Sequence, residues 1–333
     1  MEQQKSFPGL DYLKMILALL VVMRHACQYF APSNSIFYII NVNILSVCAV
    51  PCFFTISGYL FFSRENASIK KQCIRLFRLY LIWTLLYLPL NVVLIINKKL
   101  TILDLLKNFL FSGSYYHLWF LPALIVALLL NYWLRNKNIV IVAICFSFLF
   151  IIALLSEPYN FLVSERIDSL FKFYASIFLT CRNGLFFGSI YVFIGRMLTN
   201  IDKYEINAHK IILLFVIGLL FLFAEGILLS LYKHYEVINI LSACIILSPM
   251  MFLTFIKIHD TKNFSALRCR RFSTVMFCSH PIILGITSKL CKIIQMNSWG
   301  GGLVISIFLI CIASYLLVIF SEKEKFKIIK LLY

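Results

Sequence analysis

The stretch LDYLKMILALLVVMRHACQYF, residues 10–30, decides the fold class of this chain. Its length suits a helix across the hydrocarbon core of a bilayer, which takes about 20 mostly apolar residues. The stretch nevertheless holds Lys14, Arg24 and His25. A charged side chain near the middle of a bilayer costs about 2.5–3.5 kcal/mol on insertion scales. A span that keeps such residues is therefore expected to use them.

The composition of the whole chain indicates a membrane protein. Of its 333 residues, 62% are apolar and 14% are charged, whereas soluble domains are about 45–50% apolar and about 25% charged. The net charge of +17 lies in short segments between apolar runs, which is typical of membrane topology rather than of nucleic-acid binding. We therefore expect residues 1–333 to form one integral-membrane domain, with no separate soluble domain and no nucleic-acid partner.

Ten apolar runs are candidates for helical spans. They cover residues 10–30, 42–62, 77–96, 117–134, 139–155, 175–198, 211–231, 237–257, 272–290 and 302–320. With the N-terminus in the cytoplasm, the cytoplasmic segments carry 20 Lys and Arg residues and the outer segments carry 9. Because cytoplasmic loops are enriched in these residues, the sequence predicts an all-α polytopic bundle of about ten transmembrane helices with both termini cytoplasmic.

The eleven cysteines do not form a recognisable framework. Most lie inside apolar runs, and the nearest pair, Cys48 and Cys52, is four residues apart. Such spacing does not favour a disulfide network or a zinc site. We expect buried, unreactive thiols and no bound metal.

Two residues of the first span share one face of its helix. Lys14 and His25 are eleven positions apart, which brings the helix back to within about 20° and separates the residues by about 16 Å along the axis. A cation and a titratable ring on one stripe suggest an elongated anionic ligand. The alternative is that Lys14 snorkels to the interface and His25 is a packing residue. Arg24 points about 100° away from His25 and is expected to reach the outer interface.

A second basic pair opens the third span, in RLFRLYLIW from residue 75 onwards. Arg75 and Arg78 are three residues apart and therefore lie on the same helix face. Two guanidinium groups at this spacing suit phosphate or diphosphate groups. The alternative is the ordinary enrichment of basic residues at a cytoplasmic helix end.

Six segments, in order, resemble the motifs of the acyltransferase-3 family, the membrane O-acyltransferases that modify bacterial surface glycans. They are GLDYLKMILALLVVMRHA at 9–26, PCFFTISGYLFF at 51–62, RLFR at 75–78, HLWFLPALI at 117–125, RNGLFFGSIYVFIGRML at 182–198 and FCSHPIIL at 277–284. The first contains the family's basic residue, ten others, then His. The chain has Lys14 where the family more often has Arg.

The resemblance implies an acyl-coenzyme A donor, with acetyl-coenzyme A the leading candidate, as a co-substrate and no permanently bound cofactor. Lys14, Arg75 and Arg78 would hold the phosphate end at the cytoplasmic mouth. His25 would then meet the thioester deep in the membrane and act as the base or the acyl carrier. The implied location is the bacterial cytoplasmic membrane, among membrane lipids. Association between copies of the chain is left open.

The acceptor would be a hydroxyl of a cell-surface or lipid-linked glycan. His117 and Trp119 are the candidates to bind it, because an aromatic face beside an imidazole suits a sugar ring; an interfacial aromatic belt is the alternative. Arg182 and Asn183 are further candidates on the acceptor side. His280, which precedes Pro281, is expected to have a structural or supporting role.

Two other classes of protein remain as alternatives. A transporter or a flippase of lipid-linked sugars would use charge inside the membrane, and Glu225 is the candidate carboxylate. Such a protein would usually show more acidic residues and repeat symmetry. A haem protein with His25 and His117 as axial ligands would leave the paired basic residues without a purpose.

Overall fold

The structure, a computed structural model, describes residues 7–203, 207–234, 236–258, 265–296 and 298–333. In that part of the chain, 81% of the residues lie in helices and none lies in a strand. Its α-helices, in chain order, are α1 Pro8–Phe30, α2 Ile36–Tyr38, α3 Ala49–Phe62, α4 Ile69–Ile96, α5 Ile102–Lys107, α6 Phe120–Trp133, α7 Ile139–Ser156, α8 Glu165–Phe178, α9 Ser189–Met197, α10 Ala208–Tyr232, α11 Cys244–Ile256, α12 Ala266–Ile293 and α13 Trp299–Glu322.

Seven helical stretches within the described ranges are long and apolar enough to cross a membrane: Ile36–Phe62, Ile69–Ile96, Ile139–Ser156, Gly184–Ile201, Ala208–Tyr232, Ala266–Ile293 and Trp299–Glu322. Two shorter apolar helices are Phe120–Trp133 and Cys244–Ile256. The all-α class is confirmed, and the chain is a multi-pass membrane protein. The count of ten spans and the cytoplasmic termini stay predictions.

The chain divides into two compact units. The first unit comprises the chain up to Phe53 and from Ile206 onwards, and the second comprises Phe54–Glu205. Helix α1 is central to the first unit, where it packs along α12 and also contacts α11 and α13. Gly302 at the start of α13 leaves room for the Phe30 ring, because a Cβ at residue 302 would lie 2.6 Å from it.

The eighth predicted span is helical over only part of its length. We predicted a span over residues 237–257, but the helix begins at Cys244. Residues 236–241 before it are not helical, and polar side chains bond part of their backbone instead. Asn43 donates to the Glu236 carbonyl at 3.0 Å and accepts from the Ile238 N–H at 3.0 Å. Irregular backbone at membrane depth is tolerated where protein groups bond it in this way.

Arg24 belongs to the same network, so its predicted position at the outer interface is wrong. It is 9% exposed, and its guanidinium donates to the Ile238 carbonyl at 2.9 Å and to Asn239 Oδ1 at 2.9 Å. It also donates to the Val42 carbonyl and, at 3.2 Å, to Ser46 Oγ. The planar fork of donors explains why one arginine joins the non-helical chain at Ile238 and Asn239 to the helical turns that hold Val42 and Ser46.

Glu225 secures the end of that irregular stretch. Its two carboxylate oxygens accept the Ser242 and Ala243 N–H groups at 2.7 and 2.8 Å. These N–H groups immediately precede α11, whose N-terminus favours a negative charge. Glu225 is therefore the cap of a short membrane helix.

The second unit is built around α6, which contacts α4, α9 and a π-helical turn at Gly184–Gly188. Gly184 permits close packing on α6, because a Cβ at residue 184 would lie 2.2 Å from the Ala123 carbonyl oxygen. Phe187 and Tyr191 fill the interior beneath this contact and are at most 1% exposed.

The sixth predicted span, 175–198, begins too early. Helix α8 ends at Phe178, Leu179 has a φ of 71°, and the membrane helix starts at Gly184. A positive φ is outside the right-handed helical region, so a non-glycine residue that adopts it ends the helix. Helix α8 has a polar face with an ion pair of 2.6 Å between Lys172 and Asp168, and it buries no residue. This character is typical of a helix lying in the membrane interface.

Candidate functional site

The first unit contains Lys14 and His25 on the unbroken helix α1. Asp11, one turn before Lys14 and 6% exposed, holds the Lys14 ammonium at 3.2 Å. Arg270 of α12 approaches the other Asp11 oxygen at 3.9 Å. The cationic end of the predicted stripe is thus a small cluster of two cations around one carboxylate.

His25 is half-buried and has a defined orientation. Its Nδ1 lies 2.8 Å from Gln28 Oε1, one turn along the same helix. With the Gln28 amide oxygen as the acceptor, Nδ1 is the donor of this bond, and Nε2 is the nitrogen that the neutral ring would use as a base. Such a pairing of a base with an orienting group is a feature of acid–base sites.

A second imidazole lies against His25. The His280 ring, on α12, stacks on it with a centroid separation of 5.2 Å and an angle of 19° between the planes. His280 is fully buried. The sequence indicated neither this contact nor the role of Gln28, although a side chain three residues after a helical histidine is a readable signal.

Arg75 and Arg78 lie in the second unit, near the start of α4. Both side chains are exposed, and their spacing of one helical turn places them on one face. This is the geometry expected for the phosphate-binding pair, whose function stays a prediction.

His117 is nearly enclosed by aromatic rings. It is 2% exposed, and Tyr87, Tyr115 and Tyr116 present their rings to it at centroid distances of 5.1, 6.0 and 5.6 Å. Such packing favours a supporting position beneath a site over direct contact with a large ligand.

Trp119 and Arg182 line a cavity of about 380 Å³ within the second unit. The Arg182 guanidinium lies 4.8 Å from the centre of the Trp119 ring, a cation–π contact. The remaining lining includes amide and hydroxyl groups of Asn91, Asn108 and Thr180. An aromatic plate with hydrogen-bonding groups around it is suited to a sugar or a similar polyol. These polar residues come from three separate segments, so no local pattern could have predicted them together.

Asn183, the fourth predicted acceptor residue, holds the backbone together. Its Oδ1 accepts the Leu185 and Phe186 N–H groups at 3.0 and 3.1 Å, and its Nδ2 donates to Tyr174 and Thr180. It is therefore the N-cap of the helical stretch that begins at Gly184.

The chain belongs to the acyltransferase-3 family, because the model of that family's acyltransferase domain matches residues 7–320. This supports a membrane acyltransferase. The chain is also similar to an amino-acid racemase of Enterococcus faecalis, with 26% identity over 349 residues covering 97% of this chain and 47% of the relative. A serine/alanine racemase of Enterococcus gallinarum is 32% identical over 248 residues, covering 68% of this chain and 34% of the relative.

The chain thus spans about half or less of the length of these curated relatives. No solved structure matches the chain. The family match confirms the resemblance that the six sequence segments indicated.

Proposed function

We propose that this protein transfers an acyl group, acetyl in the first instance, from cytoplasmic acyl-coenzyme A to a hydroxyl of a cell-surface or lipid-linked glycan. The observation that carries the proposal is His25 with Nδ1 held by Gln28 at 2.8 Å, on the same face of α1 as Lys14. The family of membrane acyltransferases supports it. A bacterial cytoplasmic membrane is the location we propose.

His25 supplies the chemistry at Nε2. In direct transfer, Nε2 takes the proton of the acceptor hydroxyl while the hydroxyl oxygen attacks the thioester carbonyl carbon. The carbon–sulfur bond breaks, and the proton passes from the imidazolium to the departing thiolate. In the two-step alternative, Nε2 itself attacks the carbonyl, the thiol leaves, and the acceptor hydroxyl later displaces the imidazole. Both routes use the same nitrogen.

The donor would be held by its phosphates. Lys14, in its cluster with Asp11 and Arg270, and the exposed pair Arg75 and Arg78 are the cations for this task. The pantetheine arm of coenzyme A is of the same order as the rise of about 16 Å from Lys14 to His25. A donor of this shape would present its thioester to the imidazole.

The acceptor would occupy the cavity that Trp119 and Arg182 line. Stacking of a sugar face on the indole and hydrogen bonds from the surrounding amides would orient one hydroxyl. His117 and Asn183 would act on this site indirectly, by supporting its aromatic wall and its backbone.

The second candidate function is that of a transporter or flippase. The racemase names belong to relatives of which this chain spans about half or less, so the proposal does not rest on them. The candidate residue for transport, Glu225, has both carboxylate oxygens bonded to backbone N–H groups. A carboxylate that caps a helix is poorly placed to carry a proton through a transport cycle. This favours the acyltransferase.

The test is turnover of radiolabelled acetyl-coenzyme A by purified protein in nanodiscs. We expect the wild type to hydrolyse the donor or acylate itself, and His25→Ala to lose that activity while remaining inserted and folded. Label retained on the quenched wild type but absent from His25→Ala would select the two-step route. Full activity of His25→Ala would overturn the mechanism, and absence of any donor turnover by folded wild type would favour the transporter.

A further inference from the structure

A proline in α12 leaves one backbone carbonyl in need of a donor. Pro281 has no N–H, so the Phe277 carbonyl four residues earlier loses its helical partner. The helix nevertheless continues from Ala266 to Ile293. His280 supplies a donor, because its Nδ1 lies 2.7 Å from the Phe277 carbonyl oxygen.

This bond determines the state of the His280 ring. A carbonyl oxygen only accepts, so Nδ1 carries the proton and Nε2 keeps the lone pair. The side chain is fully buried, and the bond fixes the rotation of its ring. The His280 imidazole, next to Pro281, thus forms a flat plate with a defined orientation at a defined height on α12.

His25 stacks on that plate. The rings are 5.2 Å apart between centroids and 19° from parallel. The helices that carry them also meet nearer their N-termini, where Arg270 approaches Asp11. The His25 ring is therefore held at its edge by Gln28 and over one face by His280.

We propose that His280 is a positioning residue for His25: the ring that the Phe277 carbonyl and Pro281 immobilise keeps the His25 imidazole in the orientation that directs Nε2 toward the reacting group. The proposal rests on the proposed function of His25. His280 provides the flat ring on which His25 stacks, and it contacts neither substrate.

Two variants separate the plate from the hydrogen bond. His280→Asn keeps an N–H near the position of Nδ1 but has no ring to stack. The double variant His280→Phe with Pro281→Ala keeps a ring and returns a backbone N–H to the Phe277 carbonyl. Thr287→Ala is the matched control, since Thr287 also donates from α12 to a carbonyl four residues earlier, at 2.7 Å from Ile283.

We expect His280→Asn to lower kcat for acetyl-coenzyme A by about tenfold or more with KM unchanged, because small misplacements of a reacting group are costly. The double variant should recover kcat to within about threefold of the wild type, and Thr287→Ala should match the wild type. Wild-type kcat in His280→Asn would overturn the proposal. So would a double variant that is no better than His280→Asn.

A second measurement does not depend on the donor. Dipolar couplings of the isotope-labelled His25 ring in nanodiscs, assigned by their loss in His25→Ala, report the order of that ring. We expect a rigid ring in the wild type and the double variant, and an averaged one in His280→Asn. If the wild type turns over no acyl-coenzyme A but the couplings follow this order, the proposed function fails while the positioning of His25 stands. Couplings that are equal in all variants would overturn the positioning itself.

Discussion

Arg24 and His25 are neighbours for which the structure predicts opposite consequences of substitution. Arg24→Met would remove the donors to the Ile238 carbonyl and Asn239 Oδ1. The Val42 carbonyl would keep the Ser46 hydroxyl as a donor at 3.1 Å. The Ile238 carbonyl is buried but Asn239 is half-buried, so the loss of these two bonds costs at most about 1–3 kcal/mol each, or up to about 6 kcal/mol together.

The removal of a buried cation offsets part of that loss, because its desolvation no longer opposes folding. We therefore expect a decrease of about 2–3 kcal/mol in the free energy of unfolding, well below that upper limit. Arg24→Lys should lie between, since an ammonium keeps the charge but does not reproduce the guanidinium fork.

The assay is unfolding in a denaturing-detergent titration, followed by tryptophan fluorescence. His25→Ala is the matched control on the same helix, and we expect it to change the free energy of unfolding by less than about 1 kcal/mol, because its ring is half-buried. Donor turnover per folded molecule should show the reverse pattern, with Arg24→Met active and His25→Ala inactive. If both variants unfold at the same detergent fraction, Arg24 does not secure the irregular chain as argued.

Three further outcomes are expected. Arg75→Ala and Arg78→Ala should each raise KM for acetyl-coenzyme A by about tenfold with little change in kcat, since each removes a charged bond to phosphate; steady-state kinetics with unaltered KM would place the phosphates elsewhere. Glu225→Leu should lower the free energy of unfolding by about 2–4 kcal/mol, as two backbone donors lose a carboxylate, and Glu225→Gln by less; equal midpoints in the same detergent titration would contradict the capping role. Trp119→Ala should leave donor hydrolysis intact but reduce the base-labile acetate on the glycan of expressing cells, whereas unchanged acetate would remove Trp119 from the acceptor site. Trp133→Ala, which removes an exposed tryptophan of the same unit that does not line the cavity, is its control.

The helical class and most of the apolar helices could be predicted from the sequence. In a bilayer, each spanning segment has to be apolar and has to bond its own backbone, and both requirements can be read from that segment alone. A run such as 139–155 must satisfy its own backbone bonds, and the structure has a helix over Ile139–Ser156. The predictions were less accurate at 175–198 and 237–257, where hydropathy is high but the backbone is not continuously helical. At 237–257 polar side chains from distant segments bond the backbone. At 175–198 the helix stops at Leu179, which has a positive φ, and restarts after the Asn183 cap. A hydropathy pattern contains neither feature.

The same division holds for the candidate site. The common face of Lys14 and His25, and the nearness of Gln28, follow from helix geometry within one segment. The stack of His25 on His280 joins positions far apart in the sequence.

By itself, then, the sequence determined an all-helical membrane chain and a histidine on its first helix, because period and hydropathy are local properties. Its six motif segments indicated the acyltransferase-3 family. Only the tertiary structure showed what the neighbouring cation, Arg24, bonds to. Its guanidinium donates to the carbonyl of Ile238, which lies in non-helical backbone more than two hundred residues later. The adjacent His25, about 100° around the helix, faces α12 instead. Contacts over such separations depend on which helices pack together, and that is a property of the folded chain alone.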